Sequence, residues 1–298
     1  MLLTVDHLTR YAYDRPVRTV VQSHRLTPSR FDGQRVLDWV VTVSDGVAGG
    51  AFRDGAGDWV QGWSVAGPVS GIEVRVQGRV ETSDLAGVLR GHRELVQPEC
   101  YLRDTTQTRA DAALRALAES CVDADVLARA HAMSAAVSEA IAYLPGATTA
   151  ATTAAEALAL GKGVCQDHAH ALIAAARAVG MPARYASGYL SAALPGAGQS
   201  QTRSPAGQSQ SQSQSQNGEA ESPAPDLPHE AAHAWAEIHV AGLGWVGFDP
   251  ANRCCPDARY IRLGSGLDAQ DAAPIRGIAR GAGRESLDVT VAVLAEQQ

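Results

Sequence analysis

A run of small and apolar residues from Cys165 to Val179 constrains the fold more than any other part of the sequence. Its apolar positions recur at helical spacing, and Gly180-Met181-Pro182 follows, where glycine and then proline end a helix. Cys165 therefore lies at the N terminus of a predicted helix. Three strand-like runs come next along the chain: Arg184 to Leu190, Ala234 to Val240 and Gly244 to Phe248. This order predicts an α+β domain in which a helix precedes an antiparallel sheet.

Three further helices are predicted before this segment. The shortest covers Thr153 to Leu160, where Thr153 suits the N-cap position and Glu156 completes a capping box. Gly161 then ends that helix, immediately before the segment that carries the cysteine. Two longer helices are predicted over residues 108–120 and 125–142, because alanine and leucine recur there three and four residues apart.

The first 85 residues have the pattern of antiparallel strands. Short runs of alternating polarity, such as Leu2 to Leu8, Val36 to Val43 and Ile72 to Val80, are separated by Gly, Asp and Pro. The segment Asp54-Gly55-Ala56-Gly57-Asp58 lies between apolar runs and is predicted to form a hairpin turn. We interpret this turn as a structural feature without a chemical role.

These patterns divide the chain into three expected parts. An N-terminal β domain covers residues 1–85, a helical connection covers 86–145, and a core covers 146–298, where Val289 to Leu294 is strand-like. A tract rich in Gly, Ser, Gln and Pro interrupts the core at about residues 195–228. Such a composition buries too little apolar surface to offset the entropy of ordering, so the tract is predicted to be a disordered insertion.

Composition excludes several classes of function. The formal net charge is −7 at pH 7, so nucleic acid is not an expected partner, because binding it requires basic surface. No run reaches the ~20 apolar residues of a membrane-spanning helix, and Asp6 and His7 stand where a signal peptide would be apolar. The 5 cysteines lack disulfide or paired zinc spacing. We therefore expect a cytoplasmic protein with no membrane partner.

Three residues form a candidate constellation for cysteine chemistry. A helix N terminus stabilises a thiolate through its dipole and its free N–H groups, which suits Cys165 to act as a nucleophile. His233 begins the strand-like HAWAEIHV, and Asp249 ends the next strand-like run, so adjacent antiparallel strands would bring them together. In such a set the histidine holds the thiol proton, while the aspartate orients the ring and stabilises the imidazolium.

Longer motifs around these residues carry a family resemblance. They are GKGVCQDHAHALIAAARAVGMPARYASGYL and HAWAEIHVAGLGWVGFDPAN, with TVDHLTRYAYDRPV, HRLTP and DGAGDWV in the N-terminal part. A cysteine in a G-x-C-x-D-like segment, a histidine before Ala-Trp and an aspartate before Pro are present in that order. Together they resemble the bacterial transglutaminase-like cysteine peptidase family, and the resemblance extends over nearly the whole chain.

The resemblance implies a fold and an activity. The fold would be the N-terminal β domain followed by a papain-like, transglutaminase-type core, with the helix of Cys165 packed on the antiparallel sheet that carries His233 and Asp249. The activity would be acyl transfer on a peptide or glutamine-type amide through a thioester on Cys165, whose backbone N–H forms part of the oxyanion hole. Hydrolysis is favoured over amine cross-linking, a peptide or protein is the expected partner, and neither a cofactor nor a metal is expected.

The sequence departs from the family pattern at two places. His168 stands three residues after the cysteine, where an aromatic residue is usual, and Gly264-Ser265-Gly266-Leu267 replaces a Gly-Arg-Asp-Tyr-like segment. These differences concern the shape of the substrate groove. They leave the three candidate catalytic residues unchanged.

Two alternative functions stay open. The chain could be a non-catalytic binding module of the same fold, since fold and function can separate. It could also be a metal-binding protein, because it offers a set of soft and imidazole ligands, although their spacing lacks the paired loops of structural zinc. That set is Cys165, His168, His170, His233, Cys254 and Cys255.

Four residues near the constellation receive structural interpretations. Asp167 is expected to support the start of the helix as a favourable partner of its dipole. Trp235 and Trp245 are expected to pack in the core. His239 lies on the same strand face as His233, and we assign no role to it.

Overall fold

A computed structural model of the chain describes residues 1–123, 125–192 and 232–296, so the tract predicted to be disordered at about 195–228 lies outside the described residues. The helices are α1 Ala112–Ser120, α2 Val126–Ala140, α3 Ala154–Leu160 and α4 Cys165–Ala178. The strands are β1 Leu2–His24, β2 Gln34–Val43, β3 Gly46–Arg53, β4 Trp59–Thr82, β5 Ala142–Tyr143, β6 Lys162–Gly163, β7 Ala183–Leu190, β8 Ala232–Val240, β9 Gly244–Phe248, β10 Tyr260–Gly266, β11 Ile275–Arg280 and β12 Glu285–Glu296.

Strands β1 and β4 form the centre of the N-terminal sheet. They pair antiparallel, with register shifts on either side of Val17 where the sheet is irregular. On their outer edges, β11 and β12 pair with β1, while β2 and β3 pair with β4. The predicted antiparallel β domain is therefore confirmed. The predicted boundaries place residues 275–296 in the core, whereas the structure places their strands on this first sheet.

The second sheet forms the core together with the helices. Its strand order is β10-β7-β8-β9, and all three pairings are antiparallel. Ala234, Ala236 and Ile238 alternate along β8 and pack in one apolar cluster with α4. Every residue of α4 from Asp167 to Arg177 is buried, and many are alanines, whose small side chains allow close packing on all sides. The predicted α+β fold class is confirmed.

Local capping explains where the helices begin. The Thr153 hydroxyl accepts a hydrogen bond from the Glu156 N–H at 3.3 Å, and the Glu156 carboxylate accepts one from the Thr153 N–H at 2.9 Å. The predicted capping box is confirmed, and Gly161 ends α3 with a φ of 64°. Helix α1 begins four residues later than predicted because Asp111 is its N-cap, accepting from the Leu114 N–H at 2.9 Å. Among the described residues, no helix has both the length and the apolar character to cross a membrane.

Buried ion pairs connect the N-terminal sheet to the core sheet. Arg262 of β10 donates to Glu237 of β8 at 2.7 Å and to Asp58 at 2.8 Å. Arg184 of β7 donates to the other oxygen of Glu237 at 2.7 Å and also pairs with Glu94. Asp58 closes the predicted Asp54–Asp58 hairpin, where the Asp54 N–H donates to its carbonyl at 3.0 Å. The turn is confirmed, and its last residue holds the two layers together.

The charges in this cluster stabilise one another. Burial acts to raise the pKa of Glu237, but the adjacent guanidinium groups of Arg262 and Arg184 lower it to about 2. Burial likewise acts to raise the pKa of Asp58, and Arg262 lowers it below its usual range. Both carboxylates therefore stay ionised at neutral pH. Each buried charge depends on its partners, because an unpaired ion in such a place is costly.

We expect Asp58→Asn to lower the free energy of unfolding by about 3 kcal/mol, because it leaves the buried Arg262 with one fewer counter-charge. Urea denaturation measures the loss. The matched control is Asp38→Asn, which removes an exposed partner of Arg79 and should cost under about 1 kcal/mol. Equal losses from the two substitutions would contradict the proposed importance of the buried cluster.

Candidate active site

Cys165 is the first residue of α4, and the start of the helix is fixed by Asp167. The Asp167 carboxylate accepts hydrogen bonds from the Val164 N–H at 2.8 Å and from the Thr148 hydroxyl at 2.6 Å. A Cβ at Gly163 would lie 2.6 Å from the Cβ of Asp167, so only glycine fits this close approach. The predicted supporting role of Asp167 is confirmed. It holds the half-buried Cys165 where the helix N–H groups have no intrahelical partners.

His233 and Asp249 meet at the end of the core sheet. The register of β8 and β9 pairs Ala236 with Phe248, which places Asp249 one diagonal step from His233. The His233 Nε2 donates to the Asp249 carboxylate at 2.6 Å, and both side chains are buried. Cys165 also lies near enough to raise the pKa of the His233 ring. Because Nε2 is engaged by Asp249, Nδ1 is the ring nitrogen left for the thiol.

The electrostatics of this group favour a protonated His233. Burial acts to lower the pKa of His233, but interaction with the neighbouring Cys165 and the hydrogen bond with Asp249 raise it to about 10. Burial acts to raise the pKa of Asp249, but its hydrogen bond with His233 and the charge of that ring keep it below its usual range. The arrangement is therefore suited to an imidazolium ring that lies beside the Asp249 carboxylate and near the Cys165 sulfur.

Two residues that sequence reasoning missed complete the surroundings of Asp249. The Tyr260 hydroxyl donates to the Asp249 Oδ2 at 2.8 Å, and the Asn252 side chain donates to the same oxygen at 2.8 Å. The Asn252 N–H donates to Oδ1 at 3.2 Å. The sequence near Asp249 could have indicated Asn252, because an aspartate often accepts hydrogen bonds from backbone groups two or three residues later. No local sequence pattern could have indicated Tyr260, since it lies in β10, two strands across the sheet from β8.

The loop after Asp249 is a closed turn that aims Asn252 at the site. Backbone hydrogen bonds join Asp249 and Cys254 in both directions, at 2.8 and 3.2 Å. Arg253 adopts a left-handed conformation with a φ of 54°, which lets the chain reverse within these few residues. The Asn252 side-chain nitrogen consequently lies 3.3 Å from the His233 Nε2.

The neighbouring aromatic residues pack as expected. Trp235 and Trp245 are almost fully buried, so their predicted core positions are confirmed. Trp235 also stacks on His233, with 6.4 Å between ring centroids, and meets Tyr260 edge to face. The ring of His239 packs against Trp245 away from the candidate triad. Trp235 thus limits the motion of the imidazole.

The structure does not bring the alternative metal ligands together. The His168 ring nitrogens lie 2.9 and 2.8 Å from the carbonyl oxygens of Val164 and Ile141, and the His170 Nε2 accepts from the Ala269 N–H. Cys254 contacts the Tyr260 hydroxyl. Within the described ranges, no group of three or more His, Cys, Asp or Glu side chains is arranged to hold a metal ion.

Two family models match this chain, one over the core and one over the N-terminal sheet. The model of the transglutaminase-like superfamily matches residues 115–250, which include Cys165, His233 and Asp249. The model of the bacterial transglutaminase-like N-terminal region matches residues 3–81. Residues 115–250 therefore form a transglutaminase-like core, and residues 3–81 form a bacterial transglutaminase-like N-terminal region. The resemblance seen in the sequence motifs is confirmed for both regions.

Bacterial proteins and a solved structure are similar to this chain. An uncharacterized protein of Mycobacterium leprae is 28% identical over 305 residues, which cover 98% of each chain. An uncharacterized protein of Mycobacterium tuberculosis is 34% identical over 142 residues, covering 46% of this chain and 37% of that protein. The crystal structure of a protein from Cytophaga hutchinsonii, provisionally described as a cysteine protease, has a TM-score of 0.67 at 20% identity, covering 100% of this chain and 92% of that one. It shows the same fold.

We expect an NMR titration to give His233 a pKa of about 10 and both Cys165→Ala and Asp249→Asn to lower it. The pKa of His233 should fall rather than rise, because each substitution removes a group that favours the charged ring while the ring remains buried. The matched control is Asp6→Asn, a change in an exposed carboxylate paired with Arg75, which should leave the pKa unchanged. A pKa near 6.5 in the unaltered protein would contradict the assigned contacts.

Proposed function

We propose that this protein is a cysteine-dependent acyl-transfer enzyme that hydrolyses peptide or glutamine-type amides through a thioester on Cys165. One observation carries the proposal. The His233 Nε2 donates to Asp249 at 2.6 Å, and the neighbouring Cys165 and Asp249 together raise the pKa of His233 to about 10. A thiolate beside an imidazolium is the reactive form of a cysteine nucleophile.

The first half of the reaction forms the thioester. The Cys165 Sγ attacks the amide carbonyl carbon, and the carbonyl oxygen takes up negative charge in a tetrahedral intermediate. The backbone N–H of Cys165 donates to this oxygen, since the first residue of a helix has a free N–H. The C–N bond then breaks as the His233 Nδ1 gives its proton to the departing amine. The products are the thioester and a neutral His233.

The second half releases the acyl group to water. The neutral Nδ1 of His233 accepts a proton from a water molecule as its oxygen attacks the thioester carbon. The C–S bond breaks, the carboxylic acid leaves, and Cys165 returns to the thiolate paired with imidazolium. Asp249 stays ionised throughout and holds the ring by Nε2. Water is proposed as the acceptor in keeping with the cysteine-protease description of the Cytophaga hutchinsonii protein, which shares the fold.

The proposed setting is the cytoplasm, with a peptide or protein as substrate. All five cysteines lie in the described ranges and are free thiols, including the adjacent Cys254 and Cys255. Free thiols persist in a reducing compartment, which supports this setting. A reducing compartment also keeps the proposed nucleophile Cys165 active.

We expect Cys165→Ala to abolish turnover and His233→Ala to lower kcat by several orders of magnitude, while Asp249→Asn lowers it less. We expect the smallest loss from Asp249→Asn, because the nucleophile and the proton carrier act directly on the substrate while the aspartate acts through the His233 ring. The matched control is Cys100→Ala, which removes an exposed thiol and should retain full activity. Retained turnover in the Cys165→Ala protein, with its fold confirmed by circular dichroism, would contradict the proposal.

The pH profile provides a separate check. His233 must carry a proton to release the amine, and its pKa is raised to about 10, so kcat/KM should fall only as the pH rises through about 10. Asp249→Asn should move this alkaline limb to lower pH, because it removes a group that favours the imidazolium. An alkaline limb near pH 6.5 in the unaltered enzyme would argue against the proposed proton donor.

A peptide library incubated with and without a small primary amine distinguishes hydrolysis from transfer. We expect products that have gained water, as detected by mass spectrometry, in both incubations. Products that carry the amine would show that an amine, not water, accepts the acyl group. They would leave the proposed thioester on Cys165 unchanged. The Cys165→Ala protein is the blank for both incubations.

A further inference from the structure

A cleft of about 390 Å³ lies between helix α2 and the turn that follows Asp249. One wall is a single face of α2, because the lining residues of that helix are three and four positions apart. The opposite wall is the end of β9 and the turn. The lining residues are His131, Ser134, Ala135, Ser138, Glu139, Phe248, Arg253, Cys254 and Cys255. The reaction proposed for Cys165 makes no use of them.

The turn after Asp249 connects this cleft to the candidate active site. Phe248 comes directly before Asp249, and Arg253 comes directly after Asn252. The Asn252 side-chain nitrogen lies 2.8 Å from the Asp249 Oδ2 and 3.3 Å from the His233 Nε2, whereas Arg253 lines the cleft. Consecutive residues of one turn thus contact the candidate triad and the cleft. A ligand in the cleft would lie beside the candidate active site.

The hydroxyl group of Ser134 is available at the wall of the cleft. It forms no hydrogen bond with any of the described residues. Ser134 is only 8% exposed, and its oxygen is not one of the fully enclosed polar atoms that lack a partner in the described part of the chain. The exposed part of this oxygen therefore faces the cleft that Ser134 lines. Because buried polar groups are almost always paired, this hydroxyl suits a ligand in the cleft.

Arg253 brings a guanidinium group to the same cleft. Its Nε donates to the Ser138 Oγ at 2.9 Å, which fixes the direction of the group. No ion pair joins Arg253 to a carboxylate of the described residues, so its two terminal nitrogens keep their hydrogens for a ligand. The Ser138 hydroxyl accepts from Arg253 and keeps its own hydrogen for another acceptor. A guanidinium with free terminal N–H groups suits a carboxylate, which it binds through two parallel hydrogen bonds.

The remaining polar residues of the lining define what accompanies the carboxylate. Burial raises the pKa of Cys254 above its usual value and that of Cys255 to about 11, so both thiols are neutral at neutral pH. Glu139 is exposed and forms no ion pair with Arg253, although both line the cleft. The cleft therefore presents a positive charge and a separate negative charge. This pair favours a ligand with a carboxylate for Arg253 and an N–H group for Glu139.

The C-terminal residue of a peptide carries these two groups side by side. Its carboxylate and its N–H are attached to the same carbon, whereas the side chains of Asp and Glu hold the carboxylate farther from the N–H. Inorganic phosphate has no N–H group, and the Glu139 charge repels a dianion. The cleft has room for about thirteen waters at the volume of liquid water, so more than a carboxylate fits. The edge-to-face rings of His131 and Phe248, 5.0 Å between centroids, form an apolar wall for a side chain.

We propose that this cleft binds the C-terminal residue of a peptide substrate, with its carboxylate on Arg253, Ser134 and Ser138 and its N–H on Glu139. The inference rests on the proposed function and narrows its substrate class to peptides that end in a free carboxylate close to the amide that is cleaved.

Isothermal titration calorimetry on the full-length Cys165→Ala protein tests binding without cleavage. The probe is N-acetyl-Ala-Ala-Leu as the free acid. Its rivals are the C-terminal amide of the same peptide, N-acetyl-Glu-Ala-Leu amide, which keeps a carboxylate only in a side chain, and inorganic phosphate. We expect the acid to bind saturably and each rival to bind at least about tenfold more weakly, the loss expected for a hydrogen bond with a charged group. No saturable binding of the acid, or equal binding of any rival, would overturn the proposal.

Further substitutions in the Cys165→Ala protein connect the binding to this cleft. Arg253→Gln removes the positive charge and should weaken binding of the acid about tenfold. Ser134→Ala should weaken it about fivefold without lowering the melting temperature, because the hydroxyl has no protein partner to lose. The matched control is Arg115→Gln, a change in an exposed arginine of α1 outside the lining, which should leave binding unchanged. Full binding of the acid by an Arg253→Gln protein with a normal melting curve would also overturn the proposal.

Turnover by the unaltered enzyme separates this inference from the proposed function. We expect the acid to be cleaved with a KM about tenfold below that of its amide, since one hydrogen bond with a charged group is lost in the amide. Equal KM values would overturn the role of the cleft in substrate binding. Binding of the acid that depends on Arg253, without any cleavage of the acid, would support the carboxylate site and contradict the proposed function.

Discussion

The buried ion cluster of Arg184, Glu237, Arg262 and Asp58 is the constraint on which the rest of the structure depends. Removing these charges from water costs several kcal/mol for each ion, and that cost is offset only where close ion pairs and hydrogen bonds form. The partners come from distant parts of the chain: the hairpin before β4 and strands β7, β8 and β10. The cluster is therefore complete only when the N-terminal sheet and the core sheet have met, so the two layers depend on each other.

The same strands carry the residues of the candidate site. Glu237 lies four residues after His233 on β8, and Arg262 lies two residues after Tyr260 on β10, so each pair shares a strand face. A slip of one residue would turn both members of a pair to the opposite face. The ion pairs thus fix the register that lets the Tyr260 hydroxyl and the His233 ring meet on one oxygen of Asp249. The buried ion pairs and the candidate site residues therefore depend on the same strand register.

The charge on Asp249 connects these contacts to the thiol. Its Oδ2 accepts from His233, Tyr260 and Asn252, and hydrogen bonds to the charged form of a carboxylate keep it ionised. An ionised Asp249 keeps the proton on His233, and a protonated His233 near Cys165 suits the proposed thiolate chemistry at the start of α4. The helix adds its own positive end there. The proposed nucleophile is thus supported from two directions, by the sheet and by the helix.

The sequence by itself determined the elements whose causes are local. The capping box of Thr153 and Glu156, the end of α4 at Gly180 and the turn that ends at Asp58 each depend on residues within a few positions, and the structure has them where they were predicted. The family motifs also placed the candidate residues on the right elements. Only the tertiary structure decided the return of β11 and β12 to β1 and the contact of Tyr260 with Asp249. The physical reason is that each of these depends on pairing between strands far apart in the chain, and no short segment contains both partners.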